Sequence, residues 1–523
     1  MRKDDKKNPS AVHRKWPLWS CRAAFFALAW AALWMLARWT CAYALCARSQ
    51  MWSWLGDADP QGLWGMGGLA RAAGLWLGSL MTTPALASAL MSTLAALASL
   101  FTLMIMSRIS KGAGWVAPLA VCPGAAMTLM MCDVYAPLSA PIALTFALGC
   151  LCVCLLPKRL WMSAACALVL GAAMAYLAGP WLVPGASYTP WINNEVGNAM
   201  GGVYIWGLGL PLAAAVAGRF LHPKTNKGRI FWTAISCAVL AVFLYTMRRP
   251  TDEAVYELSY YASRGEWGKI ESRCRKLPMA DEPLLQNYWS LAMAERGLLA
   301  DRLFAQPWVS PRSIIDLNQR SPMAYMLFSD IFWSMGQVGL AQRYAFEANE
   351  ALGNSSPRML KRLVDTNLAF GQQAVADKYM RLLGHAYAPN PIEIMCKSHC
   401  IPTDNAFAFD PAFKPDLLAT LRTNPEHKAT MQYLGCMCLL SKDVPGFAEI
   451  ITEFYGSPAL PAPLPQHFRE GVAMASLASG SDLAERCGIE PSLMQACRAF
   501  WSKQQQYDES CWHYIRDYSP ANQ

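Results

Sequence analysis

The chain has 523 residues and a formal net charge of +9, but its two halves differ sharply in composition. Residues 1–250 hold six of the 36 acidic residues and 20 of the 45 lysine and arginine residues, so residues 251–523 are net acidic. The excess of positive charge therefore belongs to the apolar half, where basic residues flank hydrophobic segments. This distribution excludes a nucleic-acid-binding C-terminal half, because such a domain needs a basic face.

Apolar segments dominate the first half of the chain. A helix crosses a bilayer with about 17 to 25 residues, and seven segments approach or exceed that length. We therefore predict a basic tail over residues 1–17 and then an N-terminal polytopic transmembrane helix bundle, with about seven spans, over residues 18–247. The predicted spans lie at residues 18–37, 83–106, 115–132, 134–156, 160–179, 201–218 and 230–247.

Lysine and arginine residues recur in every second connection between these segments. They occupy the N-terminal tail and the connections after the second, fourth and sixth segments, whereas Asp133 and Glu195 are the only charged residues after the third and fifth. Because cytoplasmic loops carry the excess of lysine and arginine, this alternation predicts a bacterial inner-membrane protein with a cytoplasmic N-terminus. An odd number of spans then places residues 248–523 in the periplasm.

The first segment leaves an alternative open. The apolar run of residues 23–37 is short enough to be the core of a cleaved signal peptide, and Ala42-Tyr43-Ala44 resembles a cleavage site. Tryptophans at positions 16, 19 and 39 instead favour a membrane span, because tryptophan is enriched at bilayer interfaces. In the outer loop, residues 38–82, we predict a surface helix near residues 69–80.

Residues 248–523 have the pattern of short amphipathic helices joined by tight turns. Turn glycines recur at Gly265, Gly297, Gly336 and Gly371, and a further turn follows at residues 441–443. Spacings near 34 residues are typical of tetratricopeptide (TPR) repeats. We therefore predict an all-α chain in which the transmembrane bundle is followed by a TPR-like α-solenoid. Proline-rich stretches at 389–415 and 458–465 interrupt the pattern.

Several motifs, in a fixed order along nearly the whole chain, resemble those of one family. This is a family of uncharacterised bacterial polytopic membrane proteins with a tetratricopeptide-like C-terminal half. The resemblance implies an envelope protein of this architecture and implies no reaction. The motifs are Gly67-Gly-Leu69, Phe346-Glu-Ala-Asn349, the segments 356–371 and 376–383, Asn424-Pro425, Tyr433-Leu434, Leu439-Leu-Ser-Lys-Asp443 and Trp512-His-Tyr514.

Four carboxylates of the apolar half, Asp57, Asp59, Asp133 and Glu195, are all predicted to lie at the outer face. An Asp-x-Asp motif followed by a surface helix is similar to polytopic glycosyltransferases that use lipid-linked sugars. In such enzymes a carboxylate acts as a base or binds a divalent cation. The favoured interpretation is simpler, because Asp-Ala-Asp-Pro is also an ordinary turn sequence.

Cysteine and histidine residues do not form a recognised metal-binding pattern. Cys396 and Cys400, with Cys436 and Cys438, are compatible with a metal site or a disulfide, but buried reduced thiols are favoured. No nucleotide-binding, nucleophile-elbow or zinc-protease motif occurs in the sequence. We therefore predict no cofactor and no metal, with a divalent cation only under the transferase alternative.

Aromatic groups in the second half are predicted to fill the core between stacked helices. They are Tyr260-Tyr261, Trp267, Tyr288-Trp289 and Phe332-Trp333. The alternative is that some of them line a concave groove that binds a peptide.

Together these patterns predict a non-enzymatic periplasmic scaffold, anchored in the lipid bilayer, that binds a protein partner through its C-terminal half. The alternative is a polytopic glycosyltransferase-like enzyme that uses a lipid-linked donor at the outer face. One observation separates them, because an enzyme needs Asp57 or Asp59 close to Asp133 or Glu195.

Overall fold

The computed structural model describes residues 18–53, 63–110, 114–157, 159–183, 201–220, 225–246, 250–385, 413–502 and 509–517. Within these ranges every regular element is a helix, and none of these residues belongs to a strand. The predicted all-α class is confirmed at this level.

The described part of the first half consists of apolar helices. A helix is present near residues 69–80, as predicted, and its place in an outer loop at the membrane surface stays a prediction. A π-helical turn, Val203–Gly209, precedes α8. The helices are α1 (Leu18–Thr40), α2 (Ala42–Met51), α3 (Gly68–Ser79), α4 (Pro84–Ile109), α5 (Cys122–Met130), α6 (Ser139–Cys154), α7 (Leu160–Leu177), α8 (Leu210–Phe220) and α9 (Asn226–Thr246).

Three of the described helices are long and apolar enough to cross a membrane: Trp19–Thr40, Pro84–Ile109 and Val203–Phe220. The other four predicted spans contain shorter apolar helical segments of 10–17 residues: Trp115–Met130, Ser139–Cys154, Trp161–Leu177 and Ile230–Val242. In the region of residues 115–132, Pro118 lies inside a 3-10 segment, and the α-helix begins only at Cys122. Proline lacks the N–H that an α-helix interior needs, so this segment is divided in two.

Helix α4 packs against α1, α2, α5, α6 and α8 and so forms the centre of the first half. Small residues allow the close approach. A Cβ atom on Gly124 of α5 would lie 2.5 Å from the carbonyl oxygen of Ala95 in α4. Any larger residue at position 124 would therefore separate these helices.

The second half begins with four helix–turn–helix pairs. The predicted turn glycines are confirmed, because Gly265, Gly297, Gly336 and Gly371 all adopt positive φ angles between the paired helices. Glycine reaches this backbone region without the steric cost of a Cβ atom. The pairs are α10 (Pro250–Ala262) with α11 (Trp267–Cys274), α12 (Pro283–Glu295) with α13 (Leu299–Arg302), α14 (Pro322–Ser334) with α15 (Val338–Ala351), and α16 (Pro357–Ala369) with α17 (Gln373–His385).

The later helices fold back onto these pairs. The Gln337 side chain donates to the Asp416 carbonyl at 3.0 Å, and the Gln432 side chain accepts the Leu299 N–H at 2.7 Å. Helices distant in sequence therefore share one core, unlike a simple linear stack. These helices are α18 (Phe413–Thr423), α19 (Lys428–Leu440), α20 (Val444–Phe454), α21 (Gln466–Ser479), α22 (Leu483–Arg486), α23 (Pro491–Trp501) and α24 (Cys511–Asp517).

The two halves meet along α2, which packs against α10 and α16. Buried methionines of the second half, Met323, Met326 and Met359, belong to the same apolar cluster as Leu45 and Met51 of α2. Methionine fills irregular apolar gaps well, as a junction between two differently built halves requires.

The second half and Arg108 lie at opposite ends of α4. Arg264 of the second half donates to the carbonyl oxygen of Thr82, just before α4, at 3.1 Å. Arg108, in the last turn of α4, donates to the carbonyl oxygen of Leu155. A helix of 26 residues is about 39 Å long, which separates these two contacts.

Candidate binding groove at the junction

A groove with a volume of about 230 Å³ opens on the second half, beside the junction. Its walls come from the first helix of each pair, α10, α12, α14 and α16, and from Trp267 at the start of α11. Consecutive first helices therefore present one continuous concave surface.

Helix α16 supplies most of the charge in the groove. Arg358, Lys361, Arg362 and Asp365 follow the spacing that places side chains on one helical face. Arg362 donates to a carboxylate oxygen of Asp330 at 2.9 Å. Arg358 and Lys361, the other basic residues of this face, line the same groove.

Arg358 joins the groove to the first half of the chain. Its guanidinium donates to the Gln50 side chain at 3.0 Å and to the Ser259 hydroxyl at 2.9 Å, and it also binds Asp330. The Gln50 amide in turn donates to the Ser263 hydroxyl at 3.0 Å. A residue of α2 therefore holds two of the residues that line the groove, Arg358 and Ser263.

Two tryptophans form the apolar part of the groove. Trp267 and Trp333 are half-buried, and the Arg362 guanidinium lies 4.5 Å from the ring centroid of Trp333. The adjacent Phe332 is fully buried, as are Tyr288 and nearly all of Trp289. The predicted core positions are confirmed for these three residues, whereas Trp267 and Trp333 pack against the same core and also line the groove.

The groove carries equal numbers of acidic and basic side chains. Glu295, Asp330 and Asp365 balance Arg358, Lys361 and Arg362. This arrangement does not select a strongly charged ligand. Paired charges beside indole rings suit an extended peptide, which offers backbone donors, backbone acceptors and side chains together.

Glu253 fastens the second half to the first. Its carboxylate accepts the backbone N–H groups of Tyr43 at 2.7 Å and Ala44 at 3.1 Å, in the first turn of α2. A carboxylate at a helix N-terminus satisfies donors that have no partner within the helix. Loss of solvation in the junction raises the pKa of Glu253 to about 8, although both N–H groups act in the opposite direction.

A chain of hydrogen bonds continues from this contact towards solvent. The hydroxyl groups of Tyr43 and Tyr261 lie 2.9 Å apart, and the Tyr261 hydroxyl donates to Glu257 at 3.2 Å. Arg273 forms an ion pair with Glu257 at 2.6 Å. The junction is therefore polar at its rim and apolar in its centre.

Arg48 of α2 is buried and acts on backbone carbonyl groups. It donates to the carbonyl oxygens of Asp133 at 2.6 Å and Met131 at 3.2 Å, and also to that of Ala136. The guanidinium therefore holds the turn between α5 and α6 against α2. The sequence alone does not distinguish Arg48 from the other arginines between the apolar segments.

Asp133 is the one described member of the four predicted outer carboxylates. Its carboxylate accepts the N–H of Tyr135 at 2.9 Å, two residues along the chain, as aspartates do in ordinary turns. Asp57, Asp59 and Glu195 lie outside the described residues. The outer-face position of these carboxylates, and the transferase alternative that depends on it, therefore stay predictions.

Of the four cysteines considered as metal ligands, two lie within the described residues and two do not. Cys396 and Cys400 lie outside the described residues. Cys436 and Cys438 are buried, and burial raises the pKa of the Cys438 thiol to about 11. Within the described ranges, no three histidine, cysteine or acidic side chains converge as metal ligands would.

These features define an all-helical protein in which a polar helical half with a groove is fastened to an apolar half. The model of a family of unknown function, DUF6057, matches residues 14–389 and 395–518. The chain therefore belongs to this family, which agrees with the uncharacterised family expected from the sequence motifs. No curated protein and no solved structure matches the chain.

Proposed function

We propose that this protein is a membrane-anchored scaffold. Its C-terminal half would act as a TPR-like peptide-binding domain that binds an extended segment of a partner protein in the groove. The observation that carries the proposal is the pair of half-buried tryptophans, Trp267 and Trp333, on a concave surface of successive first helices. Peptide-binding helical repeats use such surfaces. The contacts of α2 with α10 and α16 would hold the groove against the apolar half.

Apolar side chains on the outside of the first half support the membrane anchor. Leu28 of α1, Leu168 of α7 and Phe220 of α8 are 73%, 76% and 78% exposed. Contiguous exposed apolar surface is rare on soluble proteins and favourable against lipid. We propose that the four shorter apolar helices also lie within the bilayer, in a bundle of about seven spans.

The position of the second half supports the proposed periplasmic side. It docks beside Thr82, at the end of α4 opposite to Arg108. Basic residues favour the cytoplasmic side of a membrane protein. The groove would then face the periplasm.

A fusion of alkaline phosphatase after residue 260 is expected to be active, because this enzyme folds only outside the cytoplasm. The measurement is phosphatase activity in intact bacteria, normalised to the amount of fusion protein. A matched fusion after Arg108 is the control and is expected to be inactive. An inactive fusion at residue 260, with activity of a cytoplasmic reporter there, would reject the proposed orientation.

A photo-reactive amino acid in place of Lys361 is expected to form a covalent adduct with a partner in living cells. Lys361 lies in the groove, so a bound segment would be within reach of the probe. The adduct is detected by a shift in mass on denaturing gels and identified by mass spectrometry.

The same probe at the exposed Lys378 of α17 is the matched control, because that residue does not line the groove. Addition of Trp333→Ala to the Lys361 probe variant is expected to abolish the adduct while the protein level stays unchanged. Equal adducts at both positions, or persistence in the Trp333→Ala variant, would reject binding in the groove.

Asp57→Asn and Asp59→Asn are expected to leave function and membrane levels unchanged. Surface substitutions in a turn usually alter stability by no more than about 0.5 kcal/mol. Under the glycosyltransferase alternative, either change would remove a base or a ligand to a divalent cation. Loss of function at normal protein levels, in a strain that depends on this protein, would favour the enzyme over the scaffold.

A further inference from the structure

Two buried thiols meet where the halves of the chain join. Cys41 connects α1 to α2, and Cys132 lies in the turn after α5. Their side chains are 0% and 4% exposed, and the Cys41 thiol is hydrogen-bonded to the Cys132 thiol. The Cys132 sulfur also lies 3.6 Å from the carbonyl oxygen of Thr40, the residue before Cys41.

This contact is of the kind that a disulfide requires. The bond forms when the Cα atoms of two cysteines lie roughly 4.4 to 6.8 Å apart and their side chains point towards each other. Two thiols in hydrogen-bonding contact already satisfy the second condition.

The position of the two cysteines determines which segments a disulfide would link. It would link the end of α1 to the turn that Arg48 also holds, and that turn carries Asp133. Glu253 of α10 accepts the N–H groups of Tyr43 and Ala44, two and three residues after Cys41. The pair is therefore covered when the second half docks.

We propose that Cys41 and Cys132 form an intramolecular disulfide that fixes the docking surface for the second half. This inference rests on the proposed function in one respect, because it places both residues on the periplasmic side. Disulfides persist in that compartment, whereas the cytoplasm keeps thiols reduced.

The chemistry is thiol–disulfide exchange with a disulfide oxidant of the periplasm. One thiol loses its proton and attacks a sulfur atom of the oxidant, which releases one oxidant thiolate and leaves a mixed disulfide. The second thiol, also deprotonated, displaces the remaining oxidant sulfur. The two cysteines together lose two protons and two electrons, and the oxidant becomes a dithiol.

The burial of the two cysteines determines when the disulfide can form relative to the docking of α10. Exchange needs an accessible thiolate, so the bond would form before α10 covers the site. Once covered, the disulfide would resist a reductant in solution. We expect dithiothreitol to reduce it only after the full-length protein has been denatured.

Sequential labelling of the full-length protein tests the proposal. Cells are quenched in acid, and free thiols are blocked with one maleimide under denaturing conditions without reductant. The protein is then reduced and labelled with a second maleimide of different mass. Mass spectrometry is expected to find the second label on Cys41 and Cys132 and the first label on Cys46.

Cys46 is a stringent internal control, because it is also buried in α2 and near Glu253. Cys132→Ser is expected to move Cys41 to the first label, whereas Cys46→Ser is expected to leave the pair unchanged. The first label on both Cys41 and Cys132 of the unmodified protein would overturn the disulfide. Retention of the second label on Cys41 in Cys132→Ser would also overturn it.

The phosphatase fusion distinguishes failure of the disulfide proposal from failure of the proposed function. An active fusion at residue 260 together with reduced Cys41 and Cys132 would reject the disulfide and leave the proposed function intact. An inactive fusion together with reduced thiols would reject both.

Discussion

Glu253→Gln is expected to remove most of the pH dependence of stability that arises at the junction. The carboxyl group has a pKa of about 8 in the folded protein and an ordinary value of 4.5 without the fold. The folded state therefore binds the proton more tightly between these values. Stability is greatest below the lower pKa and falls as pH rises from about 4.5 to 8.

The magnitude follows from the size of the pKa difference. Each pKa unit corresponds to about 1.4 kcal/mol, so the loss is at most roughly 5 kcal/mol. The side chain is partly exposed, which makes this an upper limit. Glutamine keeps the length of the side chain and one acceptor oxygen for the α2 N–H groups but has no charge.

The measurement is unfolding of the purified full-length protein in detergent, by heat or urea, at several pH values from 5 to about 8.5. Glu257→Gln is the matched control, since this residue lies one helical turn away and pairs with Arg273. It is expected to keep the pH dependence of the unmodified protein. An unchanged slope in Glu253→Gln would show that another group controls the junction.

Arg48→Met is expected to be the most damaging single substitution in the first half. Methionine has a similar length but cannot donate to the carbonyl oxygens of Met131, Asp133 and Ala136. A buried acceptor left without a donor costs about 1 to 3 kcal/mol, so the total exceeds about 3 kcal/mol unless the turn moves. Thermal unfolding of the full-length protein measures this loss.

The exposed Arg38 offers a comparison of the same residue type nearby. Arg38→Met is expected to change stability by no more than about 0.5 kcal/mol. Arg48→Lys, which keeps the charge but not the fork of donors, is expected to fall between the two. A loss in Arg48→Met no larger than that in Arg38→Met would mean that the guanidinium contacts are not needed.

Local signals in the sequence predicted local structure well. The glycine turns were predictable because positive φ has few alternatives to glycine, and Gly265 and Gly371 adopt it where expected. The sequence does not predict that Phe332 is fully buried while its neighbour Trp333 lines the groove. Both are large and aromatic, and only the packing of α14 between its neighbours decides which one faces the groove.

The residues of the junction were missed for a related reason. Glu253 and Arg48 lie about 200 positions apart, and nothing in their own neighbourhoods distinguishes them from solvated charges. Their importance comes from burial after α2 and α10 meet. The apolar segments were predictable from composition, whereas their lengths were not, because a proline such as Pro118 can shift a helix start by several residues.

The apolar cluster shared by the halves has a consequence for biogenesis. Met323, Met326 and Met359 complete a core whose other members, such as Leu45 and Met51, precede them by hundreds of residues. The ribosome delivers the first half earlier, so it can act as a template on which the later helices finish folding. A fragment starting at residue 251 would instead expose this methionine surface to water and self-associate. The composition boundary near residue 250 is therefore a poor place to cut the gene for producing the C-terminal half alone.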